Sequence, residues 1–173
     1  MYIKKYGKLL AILVAGVMMT GMQSCGDDDD DDDSSTYKME KKNKEAGETF
    51  LMNNRDNEGV VETSTGLQYK IDTLGTGVKP VAEDSVTMTF TGQLYDGTYF
   101  TNSTASMLVS DQIDGMQEGL QLMPEGSTFD LWIPYYLAYG TDENSYIYRN
   151  NLVTIAAYSM LHFHVKLTKV KAN

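Results

Sequence analysis

From Leu67 onward the chain alternates in steps of two. Leu67, Tyr69 and Ile71 alternate with polar neighbours until Gly75 and Gly77 end the run, and Val86, Met88 and Phe90 alternate with Thr87, Thr89 and Thr91. A period of two separates the faces of a strand, so each run predicts a half-buried strand. Asp96-Gly97 stands between Leu94-Tyr95 and Tyr99-Phe100. This is a hairpin signal, because glycine accepts the positive φ that such turns demand. The last alternation is the clearest: Leu161, Phe163, Val165 and Leu167 face in, while His162, His164, Lys166 and Thr168 face out. Between these runs the period changes. Ser110 or Asp111 is positioned to cap a short helix with Ile113, Met116 and Leu120 on one face. Pro124-Glu125-Gly126 then makes a turn, and Phe129 to Ile133 returns as a strand. Upstream, Ser34 to Thr36 offers a helix N-cap, and Tyr37 to about Asn54 reads as helix with Met39, Ala46 and Phe50 roughly on one face. Gly47 costs that helix about 1 kcal/mol against alanine, so the helix is expected to lean on tertiary contacts. One short helix against a curved antiparallel sheet is an α+β arrangement.

The N-terminus has a different character. Lys4, Lys5 and Lys8 precede an uncharged apolar run from Leu9 to Met22, the pattern of an export signal over residues 1–24. The run is shorter than the ~20 residues of a membrane-spanning helix. It ends at Met22-Gln23-Ser24-Cys25, which resembles a lipoprotein signal peptidase site with Met22 where leucine is more usual. Lipidation of Cys25 is the expectation, against an ordinary free thiol. Cys25 is the only cysteine, so no intrachain disulfide forms. Acyl chains there contribute ~0.8 kcal/mol per buried methylene to membrane anchoring.

Removing residues 1–24 takes the formal charge from −10 to −13, and Asp27 to Asp33 carry seven of those charges. Such a run self-repels. It reads as a solvated spacer that holds the domain off the bilayer, or as an address, since it resembles the surface-export signal of lipoproteins in some Gram-negative lineages. Its sign argues against nucleic acid. The expected organisation is a signal peptide (1–24), a lipidated cysteine with an acidic linker (25–36), a helical leader (37–65) and one folded domain (66–173).

Three blocks occur in order between Val86 and Gly140: VTMTFTGQLYDGTYF, IDGMQEGLQLMPEG and WIPYYLAYG. With the leader, over roughly residues 38–171, they resemble the FKBP-type peptidyl-prolyl cis-trans isomerases. The resemblance implies an FKBP-like curved antiparallel sheet wrapped on one short α-helix, with an N-terminal helical leader like that of bacterial periplasmic members. Longer leaders dimerise in some relatives; this one is short, so a monomer is expected. The implied reaction is rotation about the bond preceding proline, across a barrier of about 18–20 kcal/mol. No covalent bond is made or broken, so no nucleophile, metal or cofactor is expected. The reaction needs a site complementary to the twisted amide. Apolar, aromatic walls suit that state, and one or two donors orient the substrate.

The resemblance places Phe100, Ile113, Tyr139 and Phe163 on the catalytic positions, with the Ile113 N–H and the Tyr139 hydroxyl as donors to substrate carbonyls. Phe90, Thr101, Gln112, Met116 and Ile155 fall on the peptide-binding pocket. Several of these depart from the family pattern. Met116 takes the floor where tryptophan is usual, and a thioether adapts where a ring is rigid. Phe90 and Thr101 stand where a hydrogen-bonded Tyr and Asp are usual. Losing both together avoids burying one unpaired polar group. Gln112 replaces an apolar residue, Ala156-Ala157 replaces a Pro-Pro pair, and the loop Thr141–Thr154 is longer. That loop carries Tyr146, Tyr148 and Arg149, types favoured at contact surfaces.

The function expected is an isomerase with chaperone-like capacity. It acts on proline-containing segments of exported proteins and is lipid-anchored at the outer membrane or cell surface, with the periplasmic face as the other option. The alternative is a catalytically weak or inactive FKBP-like module that binds peptides or proteins. His162 and His164, two apart on a strand, have a spacing that can chelate a metal. With no third ligand near them in sequence, they read as an exposed pair. Trp132 reads as packing.

Overall fold

The computed structural model describes residues 31–173, with side chains from Tyr37 onward. The expected signal peptide, Cys25 and Asp27 to Asp30 lie outside the described residues. Helix α1 (Asp31–Asn54) leads into eight strands: β1 (Val60–Glu62), β2 (Gln68–Thr73), β3 (Ser85–Leu94), β4 (Tyr99–Leu108), β5 (Thr128–Ile133), β6 (Asn144–Tyr148), β7 (Asn151–Ile155) and β8 (Leu161–Lys171). A second helix, α2 (Asp114–Leu122), lies between β4 and β5. Six strands form one antiparallel sheet in the order β1-β2-β5-β8-β3-β4, and β6 and β7 form a separate hairpin. The architecture is α+β, as expected.

The alternations hold where they meet the core. Val86 and Met88 on β3, and Leu161, Phe163, Val165 and Leu167 on β8, are buried with Leu67, Phe129, Leu131 and Ile133 in one cluster. On the opposite face, Thr87 pairs with Ser106 and Thr89 with Thr104 through hydroxyl bonds of 2.7 and 2.8 Å. The Asp96-Gly97 turn forms with Gly97 at φ +84, and Asp96 Oδ1 accepts the N–H of Thr98 at 2.9 Å. Helix α2 approaches the sheet through glycines one turn apart. A Cβ on Gly115 would stand 2.4 Å from Ile133 Cγ2, and one on Gly119 would stand 2.6 Å from Leu131 Cδ1.

Other expectations are corrected. Helix α1 begins at Asp31 rather than Tyr37, so Asp31 to Asp33 and Ser34 to Thr36 are helical, not linker and N-cap. Met39 is 64% exposed instead of lying on the packed face. The face that docks runs through Asn43, Gly47 and Asn54. Gly47 sits against Met160, Asn43 Nδ2 donates to the Ala157 carbonyl at 3.3 Å, and Asn54 Nδ2 donates to Gln68 Oε1 at 2.9 Å. A Cβ at Gly47 would stand 3.1 Å from Met160 Cγ, so the glycine lets the helix sit close to that side chain. Ile71 is 44% exposed; it stands at the end of regular pairing, one residue before a bulge at Asp72. The leader also contributes β1, which pairs with β2, so the expected boundary at residue 65 falls between paired strands.

Ser110 and Asp111 do not cap α2. They lie in a 3-10 turn over Val109–Asp111, held by backbone bonds from Val109 to Asp84 and from Ser110 to Ala82. The N-cap is Ile113, in extended geometry. The segment Thr141–Thr154 is no open loop: most of it is the β6–β7 hairpin, turning at Arg149 (φ 49) and Asn150 (φ 65).

Candidate functional site

The aromatic cluster at one end of the sheet depends on an irregularity in β4. Register along β3–β4 is regular up to Gly92↔Thr101 and then shifts, so that Gln93 pairs with Tyr99 and Phe100 is the extra residue. By parity Phe100 belongs with the outward Asn102, Thr104 and Ser106. The bulge turns its side chain inward instead, where it is 1% exposed. Opposite it, Gly92 leaves the necessary room: a Cβ there would stand 2.5 Å from Phe100 Cζ and 2.8 Å from Thr101 Cγ2. An aromatic ring and a strand backbone cannot both yield at that distance. We expect Gly92→Ala to lower stability by about 1–3 kcal/mol through overpacking and to displace Phe100, read by urea unfolding and by the ring's NMR contacts to Phe163. A stability change within about 0.5 kcal/mol, typical of a neutral surface site, would show that the approach is not tight.

Around Phe100 the rings converge. Phe163 meets it edge-on, with centroids 5.5 Å apart at 89°, and Phe90 tilts against Phe163 at 6.3 Å. Met116, from α2, and Ile155, from the end of β7, are buried in the same cluster, and Ile113 and Tyr139 pack against it. Phe90, Phe100, Ile113, Met116, Tyr139, Ile155 and Phe163 all belong to, or pack against, the domain's hydrophobic core, with Phe90, Phe100 and Phe163 in direct ring contact. Thr101 is half-buried beside Gly92, and no buried side-chain nitrogen or oxygen among the described residues lacks a hydrogen-bond partner. The double change to Phe90 and Thr101 thus leaves no orphaned polar atom. Gln112 stands apart, its amide donating to the Leu108 carbonyl at 3.2 Å.

The N–H of Ile113 belongs to the donors that a helix start leaves outside the intrahelical ladder. Among the described residues it forms no hydrogen bond, whereas the Ile113 carbonyl accepts from Met116 and Gln117.

Tyr146 is the pocket residue that sequence reasoning did not place. Its ring lies 5.5 Å from Phe100 and 6.4 Å from Tyr139, and its hydroxyl is hydrogen-bonded to that of Tyr139. The hairpin also stacks Tyr148 on Tyr99 at 6.0 Å. The aromatic site is covered as a result: Phe100, Met116, Ile155 and Phe163 are each at most 6% exposed. An open groove lies elsewhere, between α1 and Tyr135, Tyr136 and Tyr158. In the hairpin Tyr146 pairs with Val153, but the unbroken runs Tyr146-Ile147-Tyr148 and Leu152-Val153 give no period-two signal for it.

On the outer face, Trp132 stacks on His162 at 5.0 Å, which fits a packing role. The histidines are not the isolated pair the sequence suggested, because strands distant in sequence bring two acids beside them. Asp130 Oδ1 lies 2.8 Å from His162 Nε2 and 3.1 Å from His164 Nδ1, and Asp72 Oδ2 lies 3.6 Å from His164 Nδ1. Burial alone raises the Asp130 carboxyl, but hydrogen bonds from both imidazoles outweigh it, and the net shift is downward.

A curved antiparallel sheet closed over one short helix, with an aromatic cluster at one end and the free N–H of a helix start, defines an α+β domain of one recognisable class. The family model described as FKBP-type peptidyl-prolyl cis-trans isomerase matches residues 76–168. A second, described as the domain amino terminal to FKBP-type peptidyl-prolyl isomerase, matches residues 17–71. The chain belongs to the FKBP-type peptidyl-prolyl cis-trans isomerase family. It is 45% identical over 108 residues to the outer membrane protein MIP of Legionella longbeachae, covering 60% of this chain and 46% of that protein. It is 38% identical over 135 residues to the isomerase FkpA of Aeromonas hydrophila, covering 75% and 47%. The chain thus spans about half the length of these curated relatives. Crystallographic FkpA from Escherichia coli superposes with a TM-score of 0.71 at 30% identity, over 80% of this chain and 64% of that one. An isomerase structure from Pseudomonas syringae superposes at 0.68 with 29% identity, over 76% and 96%.

Proposed function

We propose that this protein catalyses cis-trans isomerisation of X-Pro bonds in extended segments of exported proteins. The convergence of Phe100, Phe163, Tyr139 and Ile113 around one apolar site carries the reading. A twisted prolyl amide has lost its resonance and much of its carbonyl polarity. It therefore gains from transfer out of water into a ring-lined cavity, and the planar ground state gains less. The N–H of Ile113 and the hydroxyl of Tyr139 orient the carbonyls on either side of the proline, while Phe90, Met116 and Ile155 form the floor and walls. Thr101 tunes the rim, and Gln112 braces the approach to Ile113 through its bond to the Leu108 carbonyl. No proton transfer is required, and no metal or cofactor takes part.

In this reading Cys25 carries the lipid anchor, and a monomeric domain works at the outer membrane or cell surface. The signal sequence supports it, as does a relative named as an outer membrane protein. No helix among the described residues is long and apolar enough to cross a membrane. The test is two-dimensional NMR exchange on an X-Pro peptide. Cross-peaks that grow with protein concentration are expected; exchange at the spontaneous rate would overturn isomerase activity.

One observation favours a second reading, a module that binds protein segments with little catalysis. The covering hairpin presents Ile147 and Leu152 directly opposite each other, 79% and 71% exposed. An exposed apolar pair next to a covered site is suited to holding unfolded chain. Replacing both with serine is expected to reduce suppression of client aggregation several-fold and to leave exchange on a short peptide unchanged. Equal loss in both assays would assign the pair to the pocket instead.

A further inference from the structure

The outer face of the sheet carries a second constellation that prolyl isomerisation does not use. Strands β2, β5 and β8 lie side by side and contribute Asp72, Asp130 and His164. Asp130 and His164 are directly opposite in register, and Asp72 is the extra residue of the β2 bulge. Asp72 stands two residues beyond Lys70, the direct partner of Asp130, so the two-residue period puts it on the same face. One donor atom from each residue lies within 4.8 Å of the other two. The edges from His164 Nδ1 to Asp130 Oδ1 and to Asp72 Oδ2 are 3.1 and 3.6 Å. Ligands about 2.0–2.1 Å from a tetrahedral zinc ion stand roughly 3.3 Å from one another, so two edges already match.

The charge balance points the same way. Two carboxylates share the site, and no lysine or arginine among the described residues forms an ion pair with either. Imidazole and carboxylate together suit a borderline divalent ion better than calcium or magnesium, which prefer oxygen alone. His162 donates from Nε2 to Asp130 at 2.8 Å, the kind of outer bond that orients a metal-binding carboxylate, and stacking on Trp132 fixes its ring.

We propose that Asp72, Asp130 and His164 bind a zinc-like divalent cation, with His162 as a positioning residue. The remaining coordination positions face solvent and take water. Binding at Nδ1 breaks the hydrogen bond from His164 to Asp130 and leaves the single proton of the neutral ring on Nε2; only a ring that starts as imidazolium gives a proton to solvent. The ion would clamp three strands together on the face opposite the aromatic site.

Isothermal titration of the full chain with zinc chloride tests this, in the wild type and in His164→Ala, Asp72→Asn and His162→Gln. The expected result is one saturable site, lost in the first two variants and weakened about 10–100-fold in the third. Zinc should also raise the melting temperature of the wild type but not of His164→Ala, because an ion bound only by the folded state stabilises it. In the wild type, the 15N resonances of both His164 ring nitrogens should shift, Nδ1 as it takes the metal and Nε2 as it takes the ring proton. Heat that survives both ligand variants would place binding in the acidic run Asp27 to Asp33 and overturn the proposal. So would the absence of saturable heat, or an unmoved His164 resonance.

Discussion

Phe100→Ala is expected to lose a large share of the domain's stability and all of its catalysed exchange. Phe100 is 1% exposed, meets Phe163 edge-on and carries Tyr146 on its other side. Truncating a buried phenylalanine costs about 3–5 kcal/mol, from lost transfer energy and the cavity left behind. A single domain has only about 5–15 kcal/mol in total. The loss here belongs at the upper end, because Gly92 and the bulge hold a rigid shape around the ring and limit collapse into the cavity. Urea unfolding followed by circular dichroism measures it, and a cost under about 1 kcal/mol, less than any buried truncation of this kind, would remove Phe100 from the core. Phe100→Leu separates folding from function. It keeps most of the volume at a cost of about 1–1.5 kcal/mol but lacks the ring. Its catalysed exchange should still fall roughly tenfold, the equivalent of one or two aromatic contacts.

Tyr146→Ala has the opposite expected sign: tighter binding of a prolyl peptide. In the structure the Tyr146 ring occupies the face of Phe100, and its hydroxyl engages Tyr139. A peptide that reaches the cluster must displace both contacts. Ring pairs are each worth about 0.5–1.5 kcal/mol beyond area burial, and a hydroxyl bond adds about 0.5–1.5 kcal/mol. Removing that competition should strengthen binding about tenfold or more, since each 1.4 kcal/mol is tenfold. The hairpin itself should persist, because Tyr148 remains stacked on Tyr99 and Ile155 remains buried. Fluorescence titration with a labelled peptide reads the effect. Weaker binding in Tyr146→Ala would mean that the ring is a wall of the bound state and not a cover over it. Tyr146→Phe should lie between, retaining the ring contacts and losing the hydroxyl.

The amino-acid sequence by itself determined the strands that bury one face, the Asp96-Gly97 hairpin and the helix carrying Met116 and Leu120. Each of these is local: a period of two or 3.6, or a glycine at a turn, is written within a dozen residues. What the tertiary structure decided depends on chain brought from elsewhere. Phe100 turns inward because β4 gains one residue against β3, a property of pairing that no single strand displays. Helix α1 chose Gly47 rather than Met39 for its packed face because Met160, far along the chain, closes on the glycine. Tyr146 covers the site because a hairpin whose turn residues, Arg149 and Asn150, are no glycine signal folds back on β4. Asp72 and Asp130 reach His164 only through the order of β2, β5 and β8 in the sheet. Alternation shows which face a side chain takes, but only strand pairing and register decide what it meets there.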